Sequence, residues 1–300
     1  MVRRLALLGS VLALAAACSS AGTGAGSAEE ATDDAPASEV VAESPSAPAT
    51  TEEPEATIRD FDFGTVRWRE AVAGEFRRIG TDDVGRVFAV GDTAYADVND
   101  DGHDDALVGL EITDGNGYEQ IFYIWTWDAA KEKAVQVENP IAREFRCGDA
   151  VEKVAGGDGA FTITERLRFQ GQDLPDCAAT PPIKVQRSVR LEDNWPVLTT
   201  GQGGHGGICP QPQGTDALFD LEGIPVHPGP REETGTLDAS VVTKFAEVDV
   251  WDHLWLYREN WMLIHFLPAS RGAGDGFAEY GDYVPCGWVY LEDDQRPIPH

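Results

Sequence analysis

The chain has 300 residues, 42% of them hydrophobic and 25% charged, and a formal net charge of -29 at pH 7. These are the proportions of an ordinary globular protein. The acidic excess argues against a nucleic-acid partner, whose phosphates require a basic surface, and against a polybasic hold on anionic lipid. It suits a protein kept dispersed by self-repulsion, or one that gathers cations.

Met1–Ala17 has the three parts of an export signal. Arg3 and Arg4 form a short basic start, and Leu5–Leu14 is apolar apart from Gly9 and Ser10. Ala15, Ala16 and Ala17 are the small residues that precede a cleavage point. The apolar run is far short of the ~20 residues of a membrane-spanning helix, and no later stretch is long and apolar enough either. Cys18 follows at once. Small residues followed by cysteine make this segment resemble the lipobox of bacterial lipoproteins, with Leu14 one place earlier than the usual leucine. In that family the cysteine receives a diacylglyceryl group and becomes the new N-terminus. The resemblance therefore implies a lipid on Cys18 that holds the protein to the extracytoplasmic face of the cell membrane. Two or more acyl chains give stable anchoring where one is marginal. Arg3-Arg4 is also the core of a twin-arginine signal, but its neighbours fit the general secretory route better.

From Cys18 to Thr57 the chain is built mainly of Ala, Ser, Thr, Pro, Gly and acids, with scattered Val and no Lys, Arg or aromatic residue. Such a segment buries too little apolar surface to offset its ordering entropy, so a disordered tether is expected. Its prolines and unopposed carboxylates should extend it, making a spacer between membrane and domain.

Aromatic residues begin at Phe61, Phe63 and Trp68, and the remainder is long enough for one large or two small domains. Glu70–Arg78 is a weak helix candidate. Arg86–Val90, Ala106–Ile112 and the apolar run Gln120–Trp127 read as strands. Phe161–Phe169 and Lys184–Leu191 alternate cleanly, which predicts an antiparallel pair with one wet face. Gly201–Pro230 is rich in Gly and Pro and is the candidate boundary. It divides residues 58–200, a β domain, from residues 201–300, an aromatic-rich β region that is either separate or part of the same domain. Within that region Val241–Val248 is the best helix candidate. Val248–Tyr257 and Trp261–Leu267 flank Arg258-Glu259-Asn260 as a tight hairpin. The expected fold is mainly β: antiparallel sheets, sandwich-like or α+β with few helices, after the tether. No repeat of fixed period is present.

Beyond Cys18 the cysteines are Cys147, Cys177, Cys209 and Cys286. An even number in an exported chain reads as disulfides, with three pairings open. Cys147 with Cys177, and Cys209 with Cys286, is the favoured set. The first would brace the β segment it encloses, and the second would tie the Gly/Pro-rich stretch to the C-terminal strands. No C-x-x-C spacing supports a metal or redox site.

The strongest chemical lead is the run Asp97-Val98-Asn99-Asp100-Asp101-Gly102-His103-Asp104-Asp105. Oxygen-bearing side chains at alternate places, Asp97, Asn99 and Asp101, suit a hard cation that takes several oxygens at once. Gly102 permits the sharp turn, and the carbonyl of His103 falls where a backbone ligand is expected. An EF-hand would need Glu at the twelfth place, which is Val108, and a helix where strand follows. The segment instead resembles the strand–loop–strand calcium motif of FG-GAP and VCBS repeats, in which the ninth residue, here Asp105, closes the site. That resemblance implies a structural Ca²⁺. It covers one copy, about Gly91 to Leu110, so the β-propeller that serial copies build is not expected. The context YADVNDDGHDDALV also resembles segments of actinobacterial envelope proteins, which implies no particular activity. Without metal the same residues make an acidic turn.

No residue is assigned a catalytic role. Gly201–Gly207 reads as a flexible loop carrying His205, with no nucleophile beside it, and the six His residues lack paired ligand spacing. Trp251-Asp252-His253 reads as strand packing. No nucleophile elbow, P-loop or dinucleotide fingerprint stands in a credible context. Trp251, Trp255, Tyr257, Trp261, Tyr280, Tyr283, Trp288 and Tyr290 crowd the C-terminal part, as core pairs or as a platform for sugars. The expected function is a membrane-anchored binding or structural protein of the cell envelope, engaging another envelope protein or a glycan. The alternative is an envelope hydrolase acting on glycan or peptide.

Overall fold

The computed structural model describes residues 56–70, 75–168, 176–177, 179–199, 203–209, 218–220, 224–237, 245–247, 257–258, 260–265 and 286–292. The expected export signal, Cys18 and nearly all of the expected acidic tether lie outside these residues.

The described chain is antiparallel β structure. Strands β1 (Arg67–Glu70) and β2 (Glu75–Arg78) make a hairpin. A larger sheet follows from β3 (Gly80–Thr81), β4 (Val87–Ala96), β5 (Asp105–Asp114), β6 (Gly117–Asp128), β7 (Lys133–Gln136) and β8 (Ala142–Phe145). Its order is β3-β4-β5-β6-β7, and β8 pairs with β6 beside β7. The two short strands share one edge: β7 takes Trp125–Asp128 and β8 takes Glu119–Phe122. Next comes a four-stranded meander in the order β12-β11-β10-β9, from β9 (Ala150–Gly157), β10 (Ala160–Leu167), β11 (Ile183–Glu192) and β12 (Trp195–Leu198). Its tight turns carry Asp158-Gly159 and Asp193-Asn194, all at positive φ between 49 and 70°. That backbone matches the right-handed twist of the flanking strands. Farther on, β13 (Leu218–Asp220) pairs with β15 (Phe245–Glu247). A last sheet has the order β14-β18-β17-β16, from β14 (Val226–His227), β16 (Tyr257–Arg258), β17 (Trp261–His265) and β18 (Cys286–Tyr290).

Why β5 and β6 read as nearly unbroken apolar runs is visible in the layers. One face of the larger sheet carries Leu107, Phe122 and Ile124 and packs on Phe161, Ile163, Val189 and Leu191 of the meander. This is a β-sandwich. The other face carries Val108, Leu110, Ile121, Tyr123 and Trp125 and is covered by Ile58, Phe63 and Trp68 from the N-terminal segment. A sheet buried on both sides needs apolar residues at successive positions. The meander has only one covered face, so β10 and β11 alternate, and they pair from Phe161↔Val189 to Leu167↔Ile183. The expected antiparallel pair is present.

Two helix expectations are corrected. Of Glu70–Arg78, the described residues Glu70 and Glu75–Arg78 lie in the paired strands β1 and β2, not in a helix. Trp68, in β1, is fully buried, stacks edge-on to Trp125 at 4.9 Å and donates to the Phe63 carbonyl at 3.0 Å. Within Val241–Val248 the described residues Phe245–Glu247 are strand β15. A segment rich in β-branched and aromatic residues takes the strand state once a partner strand is beside it. Among the described residues the helical elements are single 3₁₀ turns at Ile58–Asp60, Ala129–Lys131 and Glu232–Thr234. Strand β4 also outruns Arg86–Val90, continuing through a bulge between Val90 and Thr93. In the last sheet Arg258 belongs to a strand, pairing with Trp261.

The cysteines pair as favoured, Cys147 with Cys177 and Cys209 with Cys286. Residues 203–209 are hydrogen-bonded on both sides: His205 N–H to the Cys286 carbonyl at 2.8 Å, and Gly206 N–H to the Pro196 carbonyl at 2.8 Å. Beneath them Arg187 and Glu165 form an ion pair with both side chains 6% exposed, Nε to Oε1 2.7 Å. Arg187 also donates to the carbonyls of Ile141 and Gly206.

Trp68→Ala is expected to lower unfolding free energy by about 3–5 kcal/mol, the usual cost of deleting a buried aromatic ring. Urea denaturation measures it. A loss below about 1 kcal/mol would mean that the N-terminal segment is not a structural layer.

Candidate functional site

The acidic loop joins β4 to β5, adjacent strands of the central sheet. Asp100 and Gly102 turn it with φ of 61 and 89°. Its side chains fold back on its own backbone. The Asp97 carboxylate accepts from the N–H groups of Asp101 at 3.2 Å and Gly102 at 2.9 Å. Asn99 Oδ1 accepts from Asp101 N–H at 3.1 Å, and Asp101 Oδ1 from His103 N–H at 2.9 Å. Asn99 Nδ2 donates to Asp101 Oδ2 at 2.9 Å. Asp, Asn and Gly at these places thus specify the turn.

Asp105 differs from the others. It is fully buried at the start of β5, where its Oδ2 accepts from Val98 N–H at 3.0 Å and its Oδ1 from Trp127 N–H at 3.3 Å. The carboxyl therefore ties the base of the loop to β6. Burial pushes its pKa up to about 7; the negative charges of Asp101 and Asp97 add to the rise and the two N–H groups oppose it. Among the described residues no Lys, Arg or His forms an ion pair with Asp105, whereas neighbouring Asp104 is paired with Arg59 at 2.6 Å. The His103 ring is exposed, so the loop's contribution at that place is the carbonyl.

The donor set is all oxygen: carboxylates of Asp97, Asp101 and Asp105, the Asn99 amide and the His103 carbonyl. That chemistry fits Ca²⁺. Among the described residues no three His, Cys, Asp or Glu side chains stand together as a ready metal site. The loop's carboxylates are spent on backbone N–H groups, and two of the five expected donors are an amide and a carbonyl.

Other sequence candidates are placed as follows. Cys18 and Trp251-Asp252-His253 lie outside the described residues, as do Trp255, Tyr280 and Tyr283. Trp288 is fully buried against Trp195, and Tyr290 is exposed and packs edge-on to half-buried Trp261 at 5.5 Å. His205 is 2% exposed, its Nδ1 3.3 Å from the Pro228 carbonyl and 3.4 Å from Trp288 Nε1. It is a packed core residue, which corrects its reading as part of a flexible loop. Motif reading missed two polar groupings assembled from separate strands: the Arg187–Glu165 pair and a row formed by Glu111, Gln120 and Glu144. In sequence their only signal is a polar residue interrupting an otherwise inward-facing alternation.

No family model matches this chain, and no curated protein or solved structure matches it.

Burial drives the His205 pKa down to about 3. In an unfolded chain histidine titrates near 6.5. Between these values the unfolded state binds a proton that the folded state does not, so stability falls as pH drops from about 6.5 towards 3. His205→Leu should flatten the decline in urea midpoint between pH 7 and 4.5. Equal slopes for variant and parent would remove His205 as the titrating group.

Proposed function

We propose that this protein is a lipoprotein of a bacterial envelope, anchored through Cys18 to the extracytoplasmic face of the membrane. In this reading an acidic tether carries a calcium-stabilised β domain that binds another envelope component, protein or glycan. The observation that carries the location is that Cys147, Cys177, Cys209 and Cys286 are all disulfide-bonded. Disulfides persist in oxidising compartments outside the cytoplasm. The export-like start, the cysteine after Ala17 and the acidic spacer agree with that location.

The calcium part is supported by Asp105, a buried carboxyl with acids for neighbours and no cationic side chain paired to it. A divalent cation held by Asp97, Asn99, Asp101, Asp105 and the His103 carbonyl would supply the missing positive charge. Its chemistry there is charge neutralisation, and the loop would bind β4 to β5 more firmly. Calcium is abundant outside cells, so even a weak site would be filled and would stabilise the fold by mass action.

Saturating calcium should raise the melting temperature by roughly 5–10 °C over chelator-treated protein, and Asp97→Ala should abolish the rise. No shift, together with no heat on titration with calcium, refutes the metal. Separately, Cys18→Ser should move the protein from the membrane fraction to the soluble fraction of cells. Retention in the membrane fraction would overturn the anchor.

A further inference from the structure

The two disulfides sit in opposite surroundings. Cys286 is fully buried, and Cys209 packs against the cluster of Trp195, Leu263 and Trp288. Cys147 and Cys177 are both exposed, and neither is part of the apolar clusters that hold the sandwich. Exchange requires a thiolate to reach a disulfide sulfur, so access separates the two bonds. The backbone at Cys147 is a second, independent difference. Residues 145–148 form a turn closed by Gly148 N–H donating to the Phe145 carbonyl at 2.9 Å. Cys147 is the third residue of this turn, at φ 69°, where glycine is the usual choice. The glycine stands one place later, where a Cβ would meet the Phe145 ring. Most other non-glycine residues at positive φ here are Asp or Asn, which tolerate it; cysteine is not a favoured type. Such residues persist only where their surroundings hold them, and they gather at switch regions.

The exposed bond also joins two different parts of the fold. The turn is fixed to the larger sheet: Arg146 N–H donates to the Tyr118 carbonyl at 3.0 Å, and Arg146 Nη1 to the Asn116 carbonyl at 2.6 Å. Cys177 belongs to the connection between β10 and β11 of the meander. There Arg168 Nη2 donates to the carbonyls of Cys177 at 3.3 Å and Ala179 at 2.8 Å. The disulfide thus links the β8–β9 turn to the β10–β11 connection across a sequence separation of 30.

We propose that the Cys147–Cys177 disulfide is a thiol-exchange site, opened by a dithiol reductant while the Cys209–Cys286 disulfide stays closed. A thiolate of the dithiol attacks one exposed sulfur and forms a mixed disulfide. The other cysteine leaves as a thiolate with the electron pair of the broken S–S bond. The second thiol of the reductant, as thiolate, then displaces the remaining cysteine. The dithiol is oxidised to a disulfide, and Cys147 and Cys177 are reduced to two thiols that take up the two protons the dithiol gave up. Opening releases the β8–β9 turn from the β10–β11 connection and leaves the sandwich core in place. The site rests on neither the anchor nor the acidic loop.

The test treats the folded full chain with dithiothreitol, blocks new thiols with N-ethylmaleimide at timed intervals and maps them by peptide mass spectrometry. Cys147 and Cys177 should become labelled about tenfold or more faster than Cys209 and Cys286. Tryptophan emission should stay constant while only the first pair is open. Amide hydrogen exchange should quicken over residues 145–149 and stay unchanged in β5 and β6. A double variant, Cys147→Gly with Cys177→Ser, places glycine at the left-handed position and should fold with the second disulfide intact and without the fast labelling. Equal labelling rates for the two pairs, earlier opening of Cys209–Cys286, or unfolding in step with reduction of the first pair would overturn the proposal. So would unchanged exchange over residues 145–149, because the disulfide would then not be what holds the turn.

Discussion

β5 and β6 bury side chains on both of their faces, and the other layers answer that demand. Leu107, Phe122 and Ile124 need the meander; Val108, Tyr123 and Trp125 need the N-terminal segment. An uncovered sheet face of this kind would expose a large contiguous apolar patch, which soluble proteins avoid. Neither covering layer can be dispensed with, so Ile58, Phe63 and Trp68 belong to the folded structure. The aromatic side chains that enter the chain at Phe61, Phe63 and Trp68 are there because Trp125 and Trp127 lie opposite.

A core built this tightly leaves few places for polar groups, and two of those present tie distant elements together. Arg187 crosses from the meander to carbonyls of Ile141 and Gly206, with Glu165 balancing its charge. Asp105 holds the base of the acidic loop to β6 through two N–H groups. In both cases the polar residue spans elements distant in sequence, so it defines how strands and loops meet. Buried polar contacts of this kind are costly if one partner is lost.

The acidic loop was legible from its residues alone, because Asp, Asn and Gly act on neighbouring backbone within a few positions. The structure shows those local hydrogen bonds at Asp97, Asn99 and Asp101. The burial of Asp105 was not legible, since it depends on Trp127, 22 residues away. His205 was misjudged for the same reason. A glycine-rich surround suggests a mobile loop, yet the backbone bridges to Val197 and the ring lies against the Pro228 carbonyl and Trp288.

By itself the sequence determined the strand character, the turns and the likelihood of disulfides, because alternation, apolar runs, Asp-Gly steps and cysteine count are local or additive properties. It also carried the acidic, low-complexity composition of residues 18–57. Only the tertiary structure decided that Glu75–Arg78 and Phe245–Glu247 are strands, because hydrogen bonds to a partner strand outweigh weak helical preference. It likewise decided which polar residues meet. Glu111, Gln120 and Glu144 become one row only when three strands pair in register, and no pattern along the chain encodes that register.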